Sequence, residues 1–281
     1  MKNFGISTLL SILLILVSFN QINAQNTLSS NENKTLMAVN KYLKSVNLDK
    51  GEILNKKMLD DFVQLSTNDN WYNHIKFWTS AQWGVKEANS AVAKQYELTG
   101  SEMKTIGIDK RPTKVSEGSF YGIKYDGEND YIENSDLKVE QPLSLLIVYK
   151  ADPSSDANVL ISTNGDKKDQ VSIQKNNSGE SELIINCAGA VRVKGIKEGI
   201  NIIYIEYDFK NSKVYINGEL AYDNILGKSE IEGIILGQGK INNKYNNFNG
   251  VLYETGVISG ILKDDARADL MKFMKDIYHI N

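Results

Sequence analysis

The chain has 281 residues, of which 41% are hydrophobic, and 32 lysines and arginines face 35 aspartates and glutamates, for a net charge of −3. This balance excludes a global electrostatic attraction to nucleic acid or to an anionic membrane. Cys187 is the single cysteine, which excludes disulfides within the chain, and the apolar run around it predicts a buried structural thiol.

Residues 1–24 have the pattern of a secretory signal peptide. Lys2 precedes an uncharged apolar run at 6–17, shorter than the roughly 20 residues that a membrane-spanning helix needs, and Ala24 is a small residue before the predicted cut. We therefore predict a protein that is secreted, periplasmic or at the cell surface, with no membrane span after cleavage. An uncleaved membrane anchor is the alternative.

Residues 25–76 are predicted to form a small helical N-terminal unit. Apolar residues recur at three- and four-residue steps in two stretches, one through Leu36 and Val46 and one over residues 54–65. Asp69 or Asn70 is expected to cap a third short helix that runs through Ile75 and Phe77. The three tryptophans of the chain, Trp71, Trp78 and Trp83, are predicted to form a core between this helical unit and the sandwich.

After about residue 115 the pattern changes to short apolar runs separated by turn residues, which predicts an antiparallel β-sandwich. Residues 143–149 are apolar on both faces, as in a central strand. Asn217-Gly218 predicts a type I′ turn, residues 209–212 predict a hairpin, and an apolar stripe after Asp264 predicts a C-terminal helix. The predicted strands are 120–125, 143–149, 159–162, 171–174, 183–187, 202–208, 213–216, 233–236 and 250–258.

Four segments of this region, in order, resemble laminin-G-like domains of the concanavalin A-like lectin/glucanase superfamily. Residues 120–132 read Phe-Tyr-Gly-Ile-Lys-Tyr-Asp-Gly-Glu-Asn-Asp-Tyr-Ile, and residues 213–219 read Lys-Val-Tyr-Ile-Asn-Gly-Glu. Residues 248–259, Phe-Asn-Gly-Val-Leu-Tyr-Glu-Thr-Gly-Val-Ile-Ser, and residues 262–267, Leu-Lys-Asp-Asp-Ala-Arg, complete the likeness. The resemblance implies an all-β jelly-roll sandwich over 77–281, strongest over 116–281, to which Phe77–Thr99 adds the first edge strand.

The same superfamily includes retaining glucanases with the pattern Glu-X-Asp-X-(X)-Glu, whose two glutamates act about 5 Å apart. Here Glu206 and Asp208 match the first two acids, but Lys210 stands where the second glutamate belongs. We therefore assign no catalytic residue and expect Glu206 and Asp208 to be solvated strand residues.

Two non-catalytic sites are candidates. The first is calcium, with Asp126 and Asp130 as candidate ligands, because many laminin-G-like domains bind this ion and carboxylates suit it. The favoured interpretation of this loop is instead a turn in which Asp126 and Asn129 satisfy backbone groups.

The second predicted site is a glycan contact in the polar connection 238–249, through Tyr245, Asn246 and Asn247. Amide groups pair with sugar hydroxyls, and an aromatic face stacks on sugar C–H groups. Phe248 is expected to tuck under the next strand. The alternative is a long solvated connection.

These observations together predict an exported, non-catalytic binding or adhesion protein that recognises a glycan or a surface protein, with calcium as the one candidate cofactor. Two alternatives stay open. One is a glycoside hydrolase or polysaccharide lyase of the same fold, and the other is a structural module of an envelope or phage-derived assembly.

Overall fold

The structure is a computed structural model that describes residues 30–105, 107–152, 155, 157–163, 169–187, 189–228, 230–241 and 244–280. The predicted signal peptide, residues 1–24, lies outside the described residues. Among the helices that are described, none is long and apolar enough to cross a membrane.

Three α-helices are present in the described residues, α1 (Ser30–Leu48), α2 (Lys56–Asn68) and α3 (Asp264–Tyr278). The side-chain oxygen of Asn55 accepts a hydrogen bond from the Met58 N–H at 3.0 Å and so caps α2. His279, with φ 54°, ends α3 in the left-handed conformation. The helices confirm the apolar stripes read from the sequence, because Val46 in α1 and Phe62 in α2 are fully buried.

Nineteen strands are assigned in the described residues, and every pairing between them is antiparallel. All nine strands predicted from the sequence are confirmed, with ends that shift by at most three residues. In chain order the strands are β1 (Ile75–Ser80), β2 (Val85–Ala88), β3 (Ala91–Tyr96), β4 (Glu102–Lys104), β5 (Thr113–Glu117), β6 (Phe120–Asp126), β7 (Ile132–Glu140), β8 (Leu143–Ala151), β9 (Ala157–Ser162), β10 (Gln170–Lys175), β11 (Ser181–Asn186), β12 (Ala190–Val193), β13 (Ile200–Tyr207), β14 (Lys213–Ile216), β15 (Glu219–Asp223), β16 (Glu230–Leu236), β17 (Gln238–Ile241), β18 (Lys244–Asn247) and β19 (Asn249–Ser259).

The strands form two large sheets and one small hairpin, which makes the chain an all-β sandwich with added helices. Sheet 1 has the order β15-β14-β13-β8-β19-β6-β5, and β1 also pairs with β19. Sheet 2 has the order β12-β11-β10-β9-β16-β7-β4-β3-β2. The hairpin consists of β17 and β18.

Two apolar clusters hold these layers together. Ile147 and Tyr149 of β8 belong to the cluster shared with sheet 2, whereas Leu146 and Val148 of the same strand belong to the cluster shared with the helices. Because β8 lies between β13 and β19 and is covered on both sides, both of its faces are apolar, as the sequence predicted.

The tryptophan core predicted from the sequence is confirmed. The ring of Phe62 in α2 lies 5.5 Å from that of Trp71, 4.5 Å from that of Trp78 and 5.6 Å from that of Trp83. All three indoles are buried in the cluster between the helices and sheet 1. The proposed division of the chain at residue 77 therefore separates elements that share one core.

The third helix predicted through Ile75 and Phe77 is wrong. A single 3-10 turn covers Tyr72–His74, and the chain then enters β1, which pairs with β19. Phe77 contributes to the core between the sheets and the adjacent Trp78 to the core under the helices, an alternation that only a strand provides. The edge strand expected within Phe77–Thr99 is present as β2, which lies at the edge of sheet 2.

Candidate ligand-binding site at one end of the sandwich

The strand registers bring six connections to one end of the sandwich, which we name the loop end. In sheet 1, Asn249 pairs with Asp126 and Lys150 pairs with Ile200. In sheet 2, Lys175 pairs with Ser181. The loop end therefore carries the chain ends of β6, β8, β10, β12, β14 and β16 that continue after Asp126, Ala151, Lys175, Val193, Ile216 and Leu236.

The connection 238–249, expected to be an irregular polar loop, is a β-hairpin for most of its length. Gln238 pairs with Asn247, and Gly237, with φ 87°, turns the chain out of β16. The Ser162 hydroxyl donates a hydrogen bond to the Gln238 carbonyl at 2.6 Å and fixes the hairpin beside β9. Tertiary contacts with β9, which the local sequence does not encode, thus order this segment.

The amides that the sequence assigned to a ligand make hydrogen bonds within the protein. Asn246 donates to the Lys244 carbonyl at 3.0 Å, and the side-chain oxygen of Asn247 accepts from Gln238 Nε2 at 3.0 Å. Asn247 Nδ2 also donates to the carbonyl of Glu128. Tyr245 is 64% exposed. The role of these residues in ligand binding stays a prediction.

Phe248, the next residue, is fully buried, and its ring lies 5.7 Å from that of Tyr125. This confirms the expectation that it tucks under the following strand. The hydrogen bond from Asn247 to Glu128 also brings the two predicted sites, the hairpin and the acidic loop, into direct contact.

The acidic loop has the geometry of a turn. Asp126 Oδ1 accepts hydrogen bonds from the backbone N–H groups of Glu128 at 2.8 Å and Asn129 at 3.3 Å, and Asp130 Oδ2 accepts from the Asp126 N–H at 3.1 Å. Burial, together with the charge of Asp126, raises the pKa of Asp130 to about 6. Within the described residues, no group of three or more His, Cys, Asp or Glu side chains could hold a metal ion. Calcium binding by Asp126 and Asp130 stays the alternative to this turn.

The loop end holds a cavity of about 750 Å³ that is lined by residues of both sheets. Tyr149 of β8 and Ile173 of β10, which belong to the inter-sheet core, line this cavity. Asn158 of β9, Ser181 of β11 and Ile196 of the 194–199 connection line it as well. Its size is within the usual range for small-molecule sites.

The Tyr149 hydroxyl is buried and has no hydrogen-bond partner among the described residues. Burial raises the pKa of this phenol well above its usual value, so that it is a neutral donor and acceptor. A buried polar group without a partner is uncommon in folded proteins. From the sequence alone, Tyr149 is the last aromatic residue of an apolar strand, with no signal that marks it as part of a site.

Asn201 fixes one wall of the cavity. Its side-chain oxygen accepts from the Lys197 N–H at 3.0 Å, and its amide nitrogen donates to the carbonyls of Lys197 at 2.8 Å and Gly199 at 3.2 Å. Asn217 donates to the same oxygen at 3.1 Å. Asn217 and Gly218 have φ angles of 52° and 86°, which confirms the predicted type I′ turn.

The charges around the cavity are balanced, with four lysines and four carboxylates among the described lining residues. Two of these side chains are paired outside the cavity. Lys150 lies 3.4 Å from a Glu117 oxygen, and Glu182 lies 3.5 Å from Arg192. The lining therefore has no net formal charge.

Glu206 and Asp208 lie at the other end of the sandwich, because Glu206 pairs with Ser144 at the start of β8. The expectation of a solvated Glu206 is wrong, since this residue is only 3% exposed and its Oε1 accepts from Arg267 Nη1 at 2.9 Å. Burial raises the pKa of Glu206, and the Arg267 charge partly offsets this effect. Cys187 is buried, as predicted.

No protein-family model matches the chain, and no curated protein sequence matches it. Solved structures do match its fold. An arabinofuranosidase in complex with arabinofuranosyl-alpha-1,2-xylobiose gives a TM-score of 0.53 at 12% identity, covering 67% of this chain and 51% of that one. Domain 4 of AbnA, a GH43 extracellular arabinanase from Geobacillus stearothermophilus solved with arabinotriose, gives 0.50 at 14% identity over 70% of this chain and 98% of that one.

The botulinum neurotoxin serotype D ligand binding domain, in complex with N-acetylneuraminic acid, gives a TM-score of 0.50 at 14% identity and covers 74% of this chain and 52% of that one. Thus the chain spans about half the length of the matched arabinofuranosidase and neurotoxin chains. At these identities the similarity establishes a shared β-sandwich fold and no more. The matched structures include glycosidases and domains solved with bound sugars.

Proposed function

We propose that this chain is an exported, non-catalytic glycan-binding protein of laminin-G-like architecture that holds its ligand at the loop end of the sandwich. The observation that carries the proposal is the cavity of about 750 Å³, where connections from both sheets converge and where hydroxyl and amide groups line the wall together with charged side chains whose formal charges balance. Sugars are recognised through such paired donors and acceptors beside apolar surfaces. The sugar ligands of the structural neighbours agree with this class of ligand.

The shape of the site favours a glycan over a surface protein as the partner. A concave cavity buries most of a small ligand, whereas a stable protein partner needs an interface of about 1,600 Å² in total. Loops at the end of a rigid sandwich can vary in sequence while the sheets hold them in place. We therefore place recognition in the cavity-bearing end and not on the open faces of the sheets.

The test is a glycan array probed with the purified chain that begins at Gln25, the predicted mature N-terminus. We expect a restricted set of glycans to bind with micromolar or tighter affinity and to remain uncleaved on incubation. An array on which no saccharide binds would contradict the proposal. Mass spectrometry of the exported protein should give an N-terminus within a few residues of Gln25, whereas an intact Met1 would show that the signal peptide was misread.

Absence of catalysis has a separate test. The Glu206→Gln variant should change no polysaccharide cleavage that a preparation shows, because Glu206 forms an ion pair with Arg267 far from the loop end. Loss of a β-glucanase activity on this single change would contradict the non-catalytic assignment.

A further inference from the structure

We infer that the cavity between the sheets takes the terminal residue of a neutral sugar chain, end-on, and that the Tyr149 hydroxyl forms a hydrogen bond with it. This inference rests on the proposed function and names the site and the class of ligand. The hairpin with Tyr245 is then a neighbour of the site and not its centre.

Tyr149 holds a buried hydroxyl that the described residues leave without a partner. This hydroxyl lies among the residues that line the cavity. Leaving a buried polar group unsatisfied is unfavourable, and a ligand hydroxyl that reached it would supply the missing hydrogen bond. The free protein therefore has an unsatisfied hydrogen-bonding group, and ligand binding would remove this unfavourable contribution.

The groups that line the cavity with Tyr149 fit a sugar ring. Asn158 Oδ1 accepts from the Asn249 N–H at 2.8 Å, which orients the amide, and its Nδ2 makes no hydrogen bond with the described residues. Ile173 and Ile196 provide apolar walls. A donor, a hydroxyl and two aliphatic surfaces match a pyranose or furanose ring, which presents hydroxyls at its edge and C–H groups on its faces.

The formal charges of the lining residues balance. The described lining residues have four lysines and four carboxylates, so their formal charges sum to zero. The buried hydroxyl of Tyr149, which has no partner among the described residues, is a neutral group. Both features favour a neutral sugar over a sugar acid or an amino sugar.

The core behind the cavity bears on how a glycan enters it. Tyr149 and Ile173, which line the cavity, also belong to the core between the sheets. Because this core lies behind the two residues, we expect a glycan to enter by one end from the loop end of the sandwich. A volume of about 750 Å³ accommodates a short terminal segment, and the rest of the glycan would extend past the loop end.

The experiment uses the mature chain, array hits and two defined probes, neutral arabinotriose and anionic N-acetylneuraminic acid, titrated by calorimetry. Tyr149→Phe should weaken binding of a neutral hit by about tenfold, the usual effect of one lost hydrogen bond, without lowering the melting temperature. Tyr125→Phe is the matched control, because its hydroxyl is also buried without a partner but Tyr125 does not line the cavity. Ser181→Trp, which adds a large side chain to the lining, should abolish binding.

The outcomes separate the inference from the proposed function. Weakening by Tyr149→Phe and Ser181→Trp, with Tyr125→Phe unchanged, supports the inference. Weakening by Tyr245→Ala alone overturns it and leaves a glycan-binding protein whose site is the hairpin. Preference for N-acetylneuraminic acid over all neutral glycans overturns the ligand class. An array without any hit overturns both the inference and the proposed function.

Discussion

The guanidinium carbon of Arg267 lies 4.2 Å from the ring centre of Tyr215, so that a cation of α3 is stacked on an aromatic residue of sheet 1. The same guanidinium donates from Nη1 to Glu206 at 2.9 Å and to Asp264 at 2.8 Å. Arg267 thereby joins the C-terminal helix to the outer face of the sheet through one buried, charged contact.

Removal of Arg267 is expected to destabilise the fold. Arg267→Ala leaves Glu206 buried without its countercharge, and breaking a buried ion pair in this way costs about 3 kcal/mol of unfolding free energy. Urea denaturation measures the loss. Lys272→Ala is the control on the same helix, since its pair with Asp276 is exposed and should contribute nothing measurable. Equal stabilities of the two variants would show that Glu206 does not depend on Arg267.

The buried carboxyl of Glu254 is expected to make the stability of the fold depend on pH. It accepts hydrogen bonds from Trp78 Nε1 at 2.9 Å and from the hydroxyls of Ser80 and Tyr278 at 2.6 Å each, and burial raises its pKa from 4.5 to about 8. The folded protein therefore keeps a proton that the unfolded chain loses above pH 4.5. Stability falls as the pH rises from 4.5 to 8, by about 3 kcal/mol at pH 7.

Glu254→Gln isolates this effect. The glutamine amide can donate to both hydroxyls while its oxygen accepts from Trp78, which reproduces the neutral acid. We expect equal melting temperatures of variant and wild type near pH 4.5 and a more stable variant at pH 8. A difference that does not change with pH would mean that Glu254 titrates at its ordinary pKa.

Gly256 of β19 is expected to tolerate no side chain. A Cβ at this position would lie 2.3 Å from Trp78 Cε3, inside the tryptophan core. Gly256→Ala should cost about 2 kcal/mol of unfolding free energy through overpacking. The control is Gly189→Ala, because a Cβ there meets no atom within 4 Å, and its stability should be unchanged or slightly higher. Similar thermal melts of the two variants would indicate that the Trp78 ring moves freely.

Asn217 combines a strained backbone with two buried hydrogen bonds. Its side-chain oxygen accepts from the Ile202 N–H at 2.8 Å, and its amide nitrogen donates to Asn201, which holds the cavity wall. Asn217→Ala should lose about 3 kcal/mol, from the hydrogen bonds and from a φ of 52° that alanine disfavours. Asn217→Gly adopts the same φ angle without strain, so its loss of unfolding free energy should be about 1 kcal/mol smaller than that of Asn217→Ala. Identical losses, measured by urea denaturation, would assign the whole effect to the hydrogen bonds.

Calcium provides the fifth prediction. Asp126 and Asp130 already accept backbone hydrogen bonds, so we expect no stabilisation by calcium. The melting temperature should be the same in 1 mM EDTA as in excess calcium, at a concentration on the order of 100-fold above the dissociation constant of a millimolar site. A rise in melting temperature with calcium that Asp126→Asn removes would establish the ion as a ligand of this loop.

Local pattern was sufficient for most of the architecture. The strand at residues 143–149, the helix after Asp264 and the turn at Asn217-Gly218 follow from periodicity and from the φ preferences of Asn and Gly, which act over a few residues. The tryptophan core was also predictable, since three large apolar side chains at a junction between helices and strands need a buried surface. None of these predictions required knowledge of which strands pair.

Long-range pairing decided the rest. β1 is a strand because β19, more than 170 residues later, supplies its hydrogen bonds, and the hairpin after Gly237 is ordered against β9. Glu206 is buried because Arg267 comes back across the sheet from α3. The cavity joins Tyr149 and Ile173 from facing sheets, and such a space exists only between elements that are distant in sequence, where no local pattern records it.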